Sequence, residues 1–220
     1  VLSDVLEPKG SGFVAHHGDD FLLANNAQWI GFSMEVGPSG DLYVLDWHDA
    51  DICGKEVLNK ETGRIFRISP TNSLARDWDG RYGDVKKMTD EQLVGLQTST
   101  SDWHARRARV VLQHRASTGS LSEASFSQLM SLFKENKNPD YRLRALWTLH
   151  ITNNIRPEEL EKALADKDEY VRAWAIQMLC EDMSASGKAL EIMVKMSRSD
   201  LSPVVRLYLA AALQRVDMET

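Results

Sequence analysis

The chain has 220 residues, 43% of them hydrophobic, a formal net charge of −6 and two cysteines, Cys53 and Cys180. That length suits two modest domains, no run approaches the ~20 apolar residues that span a bilayer, and two isolated cysteines make neither a disulfide framework nor a CxxC metal site. The charge is uneven, −7 over residues 1–84 and +1 over 85–220, and an acidic front half excludes nucleic-acid binding, which needs a basic footprint.

The opening VLSDVLEPKG has no basic n-region and no apolar h-region, so it does not read as a signal peptide. With no initiator Met, the chain reads as cut from something longer. The first ~84 residues are rich in glycine, which suits turns rather than helix interiors. Residues 13–15 and 21–24 are short strand candidates. Residues 32–36 alternate Phe32, Met34 and Val36 with Ser33 and Glu35, the period of a strand. Gly37, Pro38, Ser39 and Gly40 make a turn. Residues 41–46 return with Leu42, Val44 and Asp46 on one face and Tyr43 and Leu45 on the other, and residues 63–69 supply a third strand. Both faces are mostly apolar, so this sheet must lie between neighbours.

Residues 71–87 read as a linker anchored by Trp78 and Tyr82. From Thr89 the pattern is helical, with Glu91 and Gln92 marking a first helix start. Four further starts pair a capping residue with an arginine four positions on: Asp102/Arg106, Asn138/Arg142, Asp168/Arg172 and Ser202/Arg206. Pro139 and Pro203 occupy the first helical position, where proline is welcome. The caps are spaced by 36, 30 and 34 residues, a period that predicts stacked helix pairs. Arg142, Ala145 and Leu149 match Arg172, Ala175 and Leu179, then Arg206, Leu209 and Leu213, while the first set slips by one to Ala108 and Leu112. Partner helices are expected over 122–135, 157–165 and 185–198, with Glu158 and Glu159 favourably placed in a first turn. Trp147 and Trp174 are expected in the core.

Asp46, His48, Asp49 and Asp51 form the densest polar cluster. Three carboxylates and an imidazole just past a strand end make a candidate site for Ca²⁺ or another divalent ion. The bland alternative is a solvated acidic loop with Asp46 holding the turn. The adjacent His16 and His17 point to opposite faces of a strand, so they cannot both ligate one ion. Cys53 has acidic neighbours and reads as an inert thiol. Arg106, Arg107 and Arg109 suggest an anion patch, or else Arg106 simply faces Asp102 one turn back. No Ser-His-Asp order, phosphate-cradling glycine loop or HExxH motif is present, so catalytic residues stay unassigned.

Two resemblances follow. The run DEYVRAWA at 168–175 is similar to the D-x-x-V-R-x-x-A signature of HEAT repeats, a likeness extending over most of the helical half; the resemblance implies an Asp/Arg ladder between repeats. The phrases HGDDFL at 17–22, VGPSGDLYV at 36–44, Asp46-Trp47 and TGRIFRI at 62–68 resemble the closing part of a six-bladed propeller. That propeller belongs to a group of membrane-bound dehydrogenases of planctomycete-type bacteria, distantly similar to quinoprotein sugar dehydrogenases. In that group a HEAT array follows the propeller and a c-type haem domain often lies downstream. The expected fold is therefore α+β multidomain: a partial β-propeller over 1–70, the linker at 71–87, and an α-solenoid of HEAT-like repeats over 88–220. The resemblance implies an extracytoplasmic, periplasmic parent acting on sugars or alcohols with quinone, haem c or Ca²⁺. This segment, which has no CxxCH, is expected to hold no cofactor and to serve as scaffold and docking surface for a protein partner or for other domains of its own chain. The alternative is a non-enzymatic protein-binding module with a β cap.

Overall fold

The computed structural model describes residues 1–48, 61–71, 79–183 and 185–216. Over those residues the chain is mixed α+β, with eight α-helices and two small antiparallel sheets.

Strands β1 (Asp4–Lys9) and β2 (Gly12–His17) form a two-stranded hairpin. Its turn passes through Gly10 at φ +61°, a left-handed conformation that glycine adopts without Cβ strain. Strand β1 is absent from the sequence reading. Pro8 and alternating charges hide it, and Val5, Leu6 and Phe13 all stay exposed. Residues 21–24, expected as a strand, are not one. They are tied to the chain start, where Phe21 N and Leu22 N donate to the Val1 carbonyl at 2.9 and 3.2 Å and the Val1 ammonium donates to the Leu22 carbonyl.

The second sheet has the order β3 (Gly31–Val36), β4 (Leu42–Asp46), β5 (Arg64–Ile68), the three strands expected, but a register shift between Gly31 and Ser33 breaks the expected alternation of Phe32 with Met34 and Val36. Met34, Val44 and Phe66 stand opposite one another across it, and Val44 is 1% exposed. Trp29 packs edge-on against Phe66 with centroids 4.9 Å apart. The other face is open, with Phe32, Leu45, Trp47 and Ile65 exposed. In the β3–β4 turn, Gly40 N donates to the Gly37 carbonyl at 3.0 Å. A Cβ on Gly37 would stand 2.5 Å from the Tyr43 ring, so this close approach requires glycine.

Two 3₁₀ turns, Asp79–Tyr82 and Val85–Lys87, lead to the helices. The Tyr82 phenol meets Ser39 in the β3–β4 turn. His104 Nε2 meets the Arg81 carbonyl at 3.1 Å. Arg115 donates to the carbonyls of Lys86 and Met88 at 2.9 and 2.8 Å. The described second half of the predicted linker is thus bonded both to the sheet and to the helices, while Trp78 lies outside the described residues.

The helices are α1 (Asp90–Gly95), α2 (Asp102–Ser117), α3 (Glu123–Glu135), α4 (Pro139–Ile151), α5 (Pro157–Ala163), α6 (Glu169–Leu179), α7 (Gly187–Ser199) and α8 (Pro203–Ala212). Thr89 and Gln92 close a reciprocal capping box at the start of α1. Each odd-numbered helix packs on the next even one, and α2, α4, α6 and α8 are successive neighbours. Leu112, Leu129, Leu149 and Ile176 are fully buried in one continuous core, each worth about 1.5–3 kcal/mol. No helix among the described residues is long and apolar enough to cross a membrane.

Asn138, Asp168 and Ser202 cap their helices as expected. The first start is different: Ser101, not Asp102, caps α2, its side chain accepting from His104 N. Counting from Ser101 removes the one-residue slip. Ala108 and Leu112 then occupy the same seventh and eleventh positions after the cap as Ala145 and Leu149 or Ala175 and Leu179, and all six are buried. The arginine slot of α2 is filled by Ala105, which is wholly buried, and Arg106 points outward.

Candidate functional site

Asp46 ends β4 with its side chain wholly enclosed. Its Oδ1 accepts from Ile30 N at 2.9 Å and His48 N at 3.0 Å. Its Oδ2 accepts from Arg64 Nε at 2.8 Å and Arg64 Nη2 at 2.6 Å. A carboxylate has about four lone-pair sites, and here four protein donors fill them. Burial alone would push the carboxyl up; the Ile30 amide, Arg64 and the His48 amide outweigh it and hold it below its usual range. His48, in the left-handed region at φ +53°, turns its Nδ1 to Thr62 Oγ1 at 2.7 Å. Asp46 therefore knots the end of β4 to Ile30 and to β5. A cation reaching for it would have to displace Arg64. Asp49, Asp51 and Cys53 lie outside the described residues, and no group of three or more His, Cys, Asp or Glu side chains placed to hold a metal is found among the described ones. His16 and His17 face acidic side chains instead, Glu7 at 3.3 Å for the first, Asp4 and Asp20 at 3.7 and 3.6 Å for the second.

A cleft of about 680 Å³ separates the β3–β4 hairpin from α2. It is lined by Met34 and Val36 on one side and by Trp103, Arg106, Arg107 and Val110 on the other. The sheet and the helix carrying Trp103 face one another across it. The three arginines of the predicted patch take different partners. Arg107 lies over the Trp103 ring at 5.5 Å, Arg106 stands 3.8 Å from Asp102, and Arg109 turns inward over the Trp147 ring at 5.0 Å.

The helix pairs are tied by two sets of ion pairs. Arg142 donates to both oxygens of Asp166 and to the Phe133 carbonyl at 2.8 Å. Arg172 donates to both oxygens of Asp200 at 2.8 and 3.0 Å. Asp166 Oδ1 and Asp200 Oδ1 also accept the amides of Asp168 and Ser202, the next helix caps. Burial raises both carboxyls, but their arginines and those amides prevail and hold them low. On the other helices, Glu159 meets Lys134 at 3.0 Å and Glu161 meets Lys188 at 2.7 Å. Glu159 was expected only to serve its own helix dipole; it joins α5 to α3 as well.

Sequence reading missed the even-helix face. Trp147, Trp174 and Tyr208 are half-buried and make a row across α4, α6 and α8, with centroids 5.2 and 6.4 Å apart. Their spacings of 27 and 34 residues were the available signal. Two of them were expected in the core; they pack against its edge, partly buried. Comparison with protein-family models, with curated proteins and with solved structures returns no match.

Proposed function

We propose that this chain is a scaffold and protein-interaction segment of a larger protein, in which the last blade of a β-propeller hands over to HEAT-like helical repeats. The observation that carries this reading is the recurrence of one bridge, arginine to the aspartate two residues before the next cap, at two successive helix-pair junctions. A sheet whose apolar residues stay exposed on the outer face supports the propeller half, since such a sheet is marginal without a neighbour. On this reading the parent resembles the extracytoplasmic sugar or alcohol dehydrogenases named above, with any quinone, haem or Ca²⁺ held elsewhere in the protein.

The test is the complete open reading frame around this segment. Further blades upstream, and quinone or haem bound by a purified product that oxidises a sugar or alcohol, support the parent assignment. A full-length product with no such cofactor and no oxidation of either substrate class overturns it. A start codon close to Val1 favours the second reading, a non-enzymatic helical module whose open end the sheets cap.

A further inference from the structure

The face carried by the even-numbered helices gathers three guanidinium groups around one carboxylate. Asp102, Arg106 and Arg109 lie on one stripe of α2, at spacings of four and three, and Arg144 reaches across from α4. Arg144 is satisfied: it donates to Asp102 and to the Ser99 carbonyl at 2.7 Å. Asp102 is thereby taken, with Arg106 at its margin. Arg109 is left over. Its Nε is buried without a hydrogen-bond acceptor among the described residues, and so is the indole N–H of Trp147, the ring its guanidinium covers. Burial and the neighbouring Arg144 both work against the charged form of Arg109. An enclosed donor without an acceptor is costly, and three cations against one anion leave a local positive excess.

From this cluster the row Trp147, Trp174, Tyr208 runs across three helices in steps of about 5 and 6 Å. An extended segment of about five residues covers such a row at ~3.3 Å per residue. A row of half-buried aromatic side chains suits prolines in an extended, preformed helix, because little conformational entropy is lost on docking.

We infer that this face binds an extended segment of a partner protein, with an acidic side chain against Arg106 and Arg109 and prolines laid along Trp147, Trp174 and Tyr208. The inference rests on reading the helical half as an interaction surface, and it adds the place and the chemistry of the partner.

The test is calorimetric titration of the 220-residue chain with acetyl-Glu-Glu-Pro-Pro-Leu-Pro-Pro-amide, with the peptide carrying Gln in place of both Glu, and with inorganic phosphate. Binding of the acidic peptide with a Kd below about 1 mM, weakened at least tenfold by Arg109→Gln, by Trp174→Ala and by the Gln peptide, is expected. No binding at 1 mM overturns the proposal. So does binding that the Gln peptide matches, or that Trp174→Ala leaves unchanged; phosphate competing fully while Trp174→Ala has no effect reduces the site to an anion contact and also overturns it. Circular dichroism verifies that each variant is folded, and the Gln peptide decides the matter on the unaltered protein if Arg109→Gln does not fold. Failure here leaves the parent assignment standing, because that depends on the full-length gene product.

Discussion

Arg142 holds Asp166 with two parallel hydrogen bonds across 24 residues of chain, and the same aspartate accepts the amide of Asp168, which caps α6. One carboxylate thus joins two helix pairs and shapes the entrance to a helix. Both partners are nearly buried, at 7% and 14% side-chain exposure. Removing one partner of such a pair strands the other charge. Asp166→Ala is expected to cost about 3–5 kcal/mol, measured by urea denaturation. A loss below about 1 kcal/mol would show the bridge to be incidental.

Ser101 and Asp102 compete for the cap of α2, and the structure gives it to Ser101, whose hydroxyl also meets His104 Nδ1 at 2.7 Å. Ser101→Ala is expected to lower stability by about 1–2 kcal/mol. Asp102→Ala removes an exposed partner of Arg144 and is expected to cost less than about 1 kcal/mol. The reverse order in chemical denaturation would return the cap to Asp102.

His104 is wholly buried, between the Ser101 hydroxyl, the Arg81 carbonyl and the Trp103 ring. Burial pushes its pKa below the usual 6.5. The unfolded chain therefore takes up the proton first as pH falls. The stability conferred by the neutral ring is complete above about pH 6.5 and is lost as pH drops from there through the lowered value. Thermal melts between pH 7.5 and 5 are expected to show this decline, and His104→Gln is expected to flatten it. An unchanged slope in the variant would place the titration on another group.

The carboxyls of Asp46, Asp90, Asp166 and Asp200 are all held below their usual value of 3.8. Their contribution is present above about pH 4 and is lost as pH falls through the lowered values. A second, steeper loss of stability is expected below pH 4, followed by circular dichroism. Adding 0.5 M NaCl is expected to weaken the exposed pairs far more than the Arg142–Asp166 bridge.

Asp46→Asn is expected to destabilise the three-stranded sheet by about 1.5–3 kcal/mol, because it weakens a charged hydrogen bond to Arg64. The loss is expected to be the same with 5 mM CaCl₂ or with EDTA. A melting temperature of the unaltered chain that rises with Ca²⁺, and no longer rises in Asp46→Asn, would restore the metal reading for Asp46.

The sequence disclosed those features that rest on local chemistry. Pro139 and Pro203 behind their caps mark α4 and α8, and the Gly37 to Gly40 turn with alternating flanks marks β3 and β4. It concealed what depends on neighbours. Asp166 and Asp200 lie outside the helices they serve, so no helical period reveals them. Strand β1 has no buried face to impose alternation. Two residues able to cap, Ser101 and Asp102, stand side by side, and only the hydrogen bond from the His104 amide to Ser101 decides between them. Asp46 looks like a metal ligand by residue type and becomes a strut only once Ile30 and Arg64 are brought to it.

The double duty of Asp166 and Asp200 has a mechanical consequence. Each carboxylate is at once a clasp between helix pairs and part of the hinge at a helix entrance, so pulling two pairs apart also strips support from the turn that starts the next helix. Separation and fraying become one event. Stretched from its ends, the helical half should give way in whole helix pairs, one discrete step per junction, rather than by gradual loosening.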